Sequence, residues 1–306
     1  MIECLISIHK AKVCQVHKNR LLNIVGERCN MLNILISVNS RYLDKAETML
    51  YSLRSHTKDE INVFLLNGGS LSKDEVDSFS KTLIKYKISL NVINLEQYGF
   101  EKLPLCNEQF SIEIYYRILA QFVLPEHIDR ILWLDADLII MKDISEFYNQ
   151  NFDDKYLVVC SDSKNDKPWL KERKLILGLN PNYEYFNSGV ILMDLKKLRE
   201  NTLLENIVSQ SQSLADKLLY PDQDILNYLY YSKVKYADWK VYNYQLVCLE
   251  KIPKKDINDI AILHYTGPNK PWDPYKITSH AKYYWRVRLK QGHVISMFKA
   301  YFIRIQ

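Results

Sequence analysis

From Met31 onward, apolar runs of about five residues alternate with amphipathic stretches of ten to fifteen. Ile34–Val38, Asn62–Leu66, Ser89–Ile93, Arg130–Leu134, Tyr156–Cys160, Gly189–Met193 and Ala261–His264 have the length and apolar density of buried strands. Between them, Tyr42–Ser55 places Leu43, Ala46, Met49, Leu50 and Leu53 on one helical face. Ser72–Tyr86 reads as a helix whose first turn carries Asp74 and Glu75, which suits the positive end of the helix dipole. Ile112–Phe122 reads as a third helix, ended near Pro125. Strand–helix alternation with near-continuous apolar strands predicts an α/β fold built on a mostly parallel sheet covered on both faces. Ligands on such sheets bind beyond the carboxyl ends of the strands. Asp135 stands at one of those ends.

The first thirty residues do not join this pattern. They lack an apolar stretch long enough for a signal peptide. The expectation is an extension outside the fold, with Met31 as the first residue of the domain proper. The catalytic domain is then expected over 31–272, followed by a basic amphipathic tail over 273–306. No run of about 18 apolar residues is present, so no membrane-spanning helix is expected.

Charge changes the picture at one place. The net charge is +5, yet from Ser279 to Gln306 there are six Lys or Arg residues and no acid. The remainder is near neutral, which excludes a generally basic nucleic-acid binder. Lys282, Arg286 and Lys290 recur every four residues, with Val287, Val294, Phe298 and Phe302 roughly opposite. Such a helix can make peripheral contact with an anionic membrane. The competing reading packs it back on the domain with its basic face in solvent. The six cysteines form no CxxC pair, so free thiols in a reducing, cytoplasmic setting are expected, at most peripheral to the inner face of the membrane.

Glycine usage excludes two nucleotide-binding devices. The eight glycines contain no GxG spacing and no GxxxxGK[ST] loop. A nucleotide on this sheet would need another means of neutralising its phosphates. Asp135 and Asp137, two residues apart in extended chain and flanked by apolar residues, project to the same side. Held close and partly buried, they repel each other, and a divalent cation removes that penalty. Alone they could equally cap a turn. His264 ends another apolar run just before Gly267-Pro268 and Lys270, a suitable third ligand beside phosphate donors. Asn187 lies in Phe186-Asn187-Ser188-Gly189, where its amide could meet sugar hydroxyls or simply turn the chain. Asp222 opens Asp222-Gln223-Asp224 at a helix start, where N-capping is the ordinary role.

Together, and in their order along the chain, these four motifs resemble the family 8 glycosyltransferases, over most of the chain from Met31 to Trp272. The resemblance implies a single Rossmann-like nucleotide-sugar domain, Mn²⁺ (or Mg²⁺) as cofactor, a UDP-sugar donor, and retention of the anomeric configuration. UDP-galactose and UDP-glucose are the expected donors, with a glycan or glycolipid acceptor. By position it implies Asp135, Asp137 and His264 as metal ligands, and Gly267 and Lys270 as diphosphate contacts. It puts Asn39 and Tyr42 at the uridine, Arg117 near the donor, and Asp162, Asn187, Asp222 and Gln223 around the sugar and reaction centre. The first-strand loop departs from the family by reading Val38-Asn39-Ser40-Arg41 where relatives often carry acids; Asn39 can still pair with uracil. Two other readings compete: a haloacid-dehalogenase-like phosphatase, which also uses Asp-x-Asp after an apolar strand, and a non-catalytic nucleotide-sugar-binding module.

Overall fold

The computed structural model describes residues 31–98, 112–246, 257–273 and 280–293. Seven strands form the main sheet: β1 Met31–Ile36, β2 Glu60–Asn67, β3 Ile88–Asn94, β4 Arg130–Leu134, β6 Leu157–Ser161, β7 Phe186–Asp194 and β8 Val234–Ala237. Their order is β3-β2-β1-β4-β7-β6-β8. All neighbours are parallel except at β7, which runs opposite to both β4 and β6. The sheet is therefore mostly parallel, as expected, with one reversed strand inserted beside the central β4.

Side-chain alternation divides the core. From β1, β4 and β7, Leu35, Ile131, Trp133, Ile191 and Met193 point to one face. Ile34, Ile36, Leu132, Leu134, Val190 and Leu192 point to the other. Helices α1 (Leu43–Arg54) and α2 (Lys73–Lys85) cover the second face through Met49, Leu50, Leu53, Phe79 and Leu83. Ser72 caps α2: its hydroxyl accepts the Glu75 N–H while the Glu75 side chain accepts the Ser72 N–H. Beyond them come α3 (Pro168–Ile176), α4 (Leu195–Asn201), α5 (Leu204–Ser213) and α6 (Pro221–Tyr230). Leu170, Leu195, Leu198, Ile207, Ile225 and Leu226 from these helices fill the first face.

The expected helix over Ile112–Phe122 is a tighter 3₁₀ coil over Ile112–Leu119, followed by one α turn at Ala120–Val123. Its β-branched and aromatic residues are poor α-helix formers, and packing on the sheet dictates the coil.

The sequence pattern did not reveal a second, three-stranded sheet. Strands β5 (Leu138–Ile140), β9 (Tyr244–Gln245) and β10 (Ile262–His264) lie in the order β5-β10-β9. The Ala261–His264 run thus belongs here and not to the main sheet. A separate cluster of Ile139, Tyr244, Leu263, Tyr265 and Tyr284 backs it. Tyr284 comes from α7 (Ala281–Lys290), within the basic tail.

That helix packs back on the domain. Arg288 is buried, with its guanidinium 3.1 Å from Thr48 Oγ1 and 3.7 Å from the Asp44 carboxylate on α1. Lys282, Arg286 and Lys290 are exposed, and Val287 is half-buried. Val294, Phe298 and Phe302 lie outside the described residues. Among the described residues no helix is long and apolar enough to cross a membrane.

Candidate active site

The site forms where the two sheets meet at the carboxyl end of β4. Asp135 follows β4 directly, and its N–H bonds to Gly189 O of β7 at 3.0 Å. Asp137 precedes β5, and its carbonyl accepts the Tyr265 N–H just past β10. His264, the last residue of β10, pairs with Leu138. Backbone register in both sheets therefore brings the three side chains together. One ligand atom from each of Asp135, Asp137 and His264 lies within 4.8 Å of the others. His264 Nε2 is 3.2 Å from Asp137 Oδ1 and 3.9 Å from Asp135 Oδ2.

Gly189 makes this convergence possible. A Cβ placed there would collide with the His264 imidazole and stand 2.9 Å from Asp135 Oδ2. The bare backbone at Gly189 is what lets His264 and Asp135 approach this closely. Two carboxylates and an imidazole in a cradle that a methyl group would fill fit a divalent cation. Gly189→Ala is expected to lower Mn²⁺ affinity at least tenfold, measured by electron paramagnetic resonance of free Mn²⁺; unchanged affinity would show that the cradle is not the ion's seat.

Both carboxylates are oriented from behind. Trp133 Nε1–H donates to Asp135 Oδ1 at 2.8 Å, and Arg117 Nη2 lies 3.0 Å from the same oxygen. This leaves Oδ2 turned toward His264. Asp137 Oδ2 accepts from Lys270 Nζ at 2.5 Å. Burial alone would raise the Asp137 pKa, but the charge of Lys270 and the neighbouring His264 hold it well below the usual carboxylate range. Burial likewise opposes the Lys270 charge, and Asp137 restores it, raising the Lys270 pKa. Both groups stay ionised at neutral pH.

Arg117 is the hub of the inner wall. Its guanidinium lies over the Trp133 ring at 4.3 Å, donates to Ser188 O at 2.6 Å, and stands 3.3 Å from the Asp222 carboxylate. Asp222 is not the N-cap of α6; that position is Tyr220. The Asp222 carboxylate instead turns inward and accepts the Ser188 hydroxyl at 2.8 Å. Burial raises its pKa, Arg117 opposes the rise, and the charge of Asp135 adds to it. Asn187 is not a turn residue but lies inside β7, with Nδ2 donating to Gln223 Oε1 at 3.0 Å. Gln223 Nε2 reaches Asp162 Oδ2 at 3.5 Å, and burial raises the Asp162 pKa.

A cavity of about 690 Å³ borders Asp135, Asp137, Arg117 and Lys270, whereas His264, Asp162, Asn187, Asp222 and Gln223 lie outside its lining. Ser37, Val38, Asn39 and Tyr42 line one part, Asp135, Ala136, Asp137, Gly267, Pro268 and Lys270 another, and Glu113, Ile114, Arg117 and Tyr220 a third. The size suits a nucleotide-sugar. Gly267 has φ +75°, the left-handed conformation its turn requires. Asn39 Oδ1 accepts the Arg41 N–H at 3.1 Å, which shapes the first-strand loop.

Three residues at the site were not singled out by the sequence. Asp224 is fully buried; it accepts from Tyr185 Oη at 2.6 Å and from the Leu219 and Tyr220 N–H groups, and pairs with Arg173 of α3. It fixes the start of α6, and with it Asp222 and Gln223. Asn243 lies between His264 and Asn187. Glu113 lines the cavity with one carboxylate oxygen buried and without a hydrogen-bond partner among the described residues. Only Glu113 had a usable signal, its proximity in sequence to Arg117.

The sequence profile described as glycosyl transferase family 8 matches residues 33–275. The chain belongs to this family. As a family 8 member it is 27% identical to a lipopolysaccharide 1,2-glucosyltransferase of Escherichia coli over 82% of this chain and 76% of that protein. It is 21% identical to a lipopolysaccharide 1,3-galactosyltransferase of Salmonella typhimurium over 82% of this chain and 76% of that one. Its fold matches the crystal structure of the galactosyltransferase LgtC with a TM-score of 0.72 at 22% identity, covering 84% of this chain and 95% of that one. The protein is thus a family 8 glycosyltransferase, and neither a phosphatase nor a mere binding module describes it.

Proposed function

We propose that this family 8 enzyme transfers a hexose from a UDP-sugar, UDP-glucose or UDP-galactose, to a saccharide of the cell envelope, with retention at the anomeric carbon. The observation that carries the reading is the convergence of Asp135, Asp137 and His264, with the two carboxylates lining one cavity together with Lys270 and Gly267. Relatives named for lipopolysaccharide glucosyl and galactosyl transfer support the acceptor class. Mn²⁺ or Mg²⁺ held by the three ligands would stabilise the charge that develops on the departing diphosphate. Lys270 Nζ and the backbone at Gly267 add donors at the same phosphates. Asn39 and Tyr42 border the uridine, while Asn187, Asp162, Asp222 and Gln223 fix the donor sugar.

One feature bears on retention. Gln223 Oε1 already accepts from Asn187 Nδ2 and from the Ser188 N–H, each at 3.0 Å. Both lone pairs are engaged, which argues against Gln223 as a nucleophile beneath the sugar. Arg117 and Ser188 hold the Asp222 carboxylate through Oδ2 alone, so two routes remain: attack by Asp222, or front-face attack with the acceptor proton passing to the leaving phosphate.

Glu113 completes the proposal on the acceptor side. Glu113 lines the cavity beside Ile114, Arg117 and Tyr220, where its carboxylate can accept from the hydroxyls of an incoming saccharide. Glu113→Gln should raise the KM for acceptor about tenfold while sparing hydrolysis of the donor in its absence. Equal losses in both reactions would remove the assignment.

The reading as a whole is tested by thermal shift. At saturating concentration, UDP-glucose or UDP-galactose should raise Tm by several degrees with Mn²⁺ present and by far less without it. Equal shifts without the cation would overturn the metal site, and no shift with any UDP-sugar would overturn the donor class.

A further inference from the structure

Two main-chain amides dictate the direction of a chain of side-chain hydrogen bonds that ends at the cation site. The Ser188 N–H donates to Gln223 Oε1, and the Gly189 N–H donates to Asn187 Oδ1, each at 3.0 Å. A backbone N–H can only donate, so both acceptors must be carbonyl oxygens. The Asn187 atom that meets Gln223 Oε1 is then its NH₂. Asn187 Oδ1 lies 2.9 Å from the Asn243 amide, so Asn243 must present its own NH₂ there. What remains of Asn243 is Oδ1, and it stands 2.8 Å from His264 Nδ1. A carbonyl cannot donate, so Nδ1 carries the proton. In the neutral ring the lone pair is therefore on Nε2, the nitrogen that faces Asp135 and Asp137.

We propose that Asn243 is the positioning residue of the metal centre, setting the tautomer of His264 and joining the cation site to the donor-sugar amides. The inference rests on the reading of Asp135, Asp137 and His264 as cation ligands. Asn243 is wholly buried and immediately precedes β9. The pairing of Tyr244 with Leu263 and of Gln245 with His264 holds β9 in place beside β10. Gln245 secures that register by bonding Ser161 O and the Ser163 N–H at 3.0 and 3.1 Å. Each end of the Asn243 amide has one task. Its oxygen orients a metal ligand, and its NH₂ orients Asn187, which in turn holds Gln223. A change at the cation site is thereby felt at the sugar pocket along a path of three amides.

The two ends can be separated by substitution. Asn243→Ala removes both bonds, and Mn²⁺ affinity without nucleotide should fall 10–100-fold, measured by electron paramagnetic resonance of free Mn²⁺ on the full chain. Asn243→Asp keeps an acceptor for the Nδ1–H but offers Asn187 no donor. It should bind Mn²⁺ close to wild type while kcat for UDP-hexose hydrolysis drops. The ¹⁵N shifts of the His264 ring should report Nδ1–H in wild type and in Asn243→Asp, and mixed tautomers in Asn243→Ala. Wild-type Mn²⁺ affinity in Asn243→Ala, or an Nε2–H ring in the wild-type protein, overturns the inference. If Asn243→Ala does not fold, the wild-type tautomer and the split in Asn243→Asp still decide it. Failure of the wild-type protein itself to bind Mn²⁺ would overturn the underlying metal reading instead.

Discussion

Asp137→Asn is expected to reduce cation-dependent turnover of UDP-hexose by about three orders of magnitude. Asp137 offers one oxygen toward His264 and the other to Lys270. Its charge is secured against burial by those same partners. The amide keeps the shape but loses the charge and turns one acceptor into a donor. A metal site contributes several kcal/mol of charge stabilisation in the transition state, and about 1.4 kcal/mol corresponds to each tenfold in rate. The check is UDP release with and without Mn²⁺, alongside Mn²⁺ affinity. The second measurement matters because Lys270, left beside an amide, also loses its counter-charge. Full activity in this variant would sink the metal assignment.

Asp224→Ala should produce the largest loss of stability. The carboxylate holds Arg173, Tyr185 and two backbone N–H groups at the entrance to α6. Its removal leaves a buried guanidinium without a counter-charge, which costs about 3–5 kcal/mol. For a domain of this size that lowers Tm by roughly 10 °C. Hydrolysis of the donor should weaken as well, since the same turn carries Asp222 and Gln223. A variant with unchanged Tm would mean that α6 is held by its apolar face alone.

The parts of the fold that could be read in advance are those where one local signal dominates. Arg130–Leu134 is apolar at four of five positions and could only be a buried strand; Asp135 then had to stand at its end. The start of α2 was marked by the acids Asp74 and Glu75 in its first turn. The reversal of β7 was not legible, because a strand buried on both faces has the same pattern in either direction. Nor was the second sheet, whose strands are two or three residues long and depend on their pairing rather than on periodicity. In the site, the candidate ligands Asp135, Asp137 and His264 could be singled out because each borders an apolar run. Asp224 could not, since an acid in the first turn of a helix usually faces solvent and the dipole. Asn243 sits among polar and aromatic residues without any period, and its role exists only through contacts with β7 and β10. Arg288 misled in the opposite direction: a basic residue in a basic tail, it lies inside the domain against α1.

That last contact has a consequence for how the tail can be studied. Tyr284 of the same helix packs on Trp272 at 5.4 Å, and Trp272 meets the edge of Tyr42 at 5.9 Å. Tyr42 lines the cavity. The outward side of α7 carries the charges of the proposed contact with an anionic lipid surface, while its inward side props a wall of the cavity. Cutting the chain after residue 279 would strip both at once, and a protein that then failed to sediment with vesicles would also have lost the support of that wall. Neutralising Lys282, Arg286 and Lys290 while leaving Tyr284 and Arg288 untouched separates adhesion from architecture.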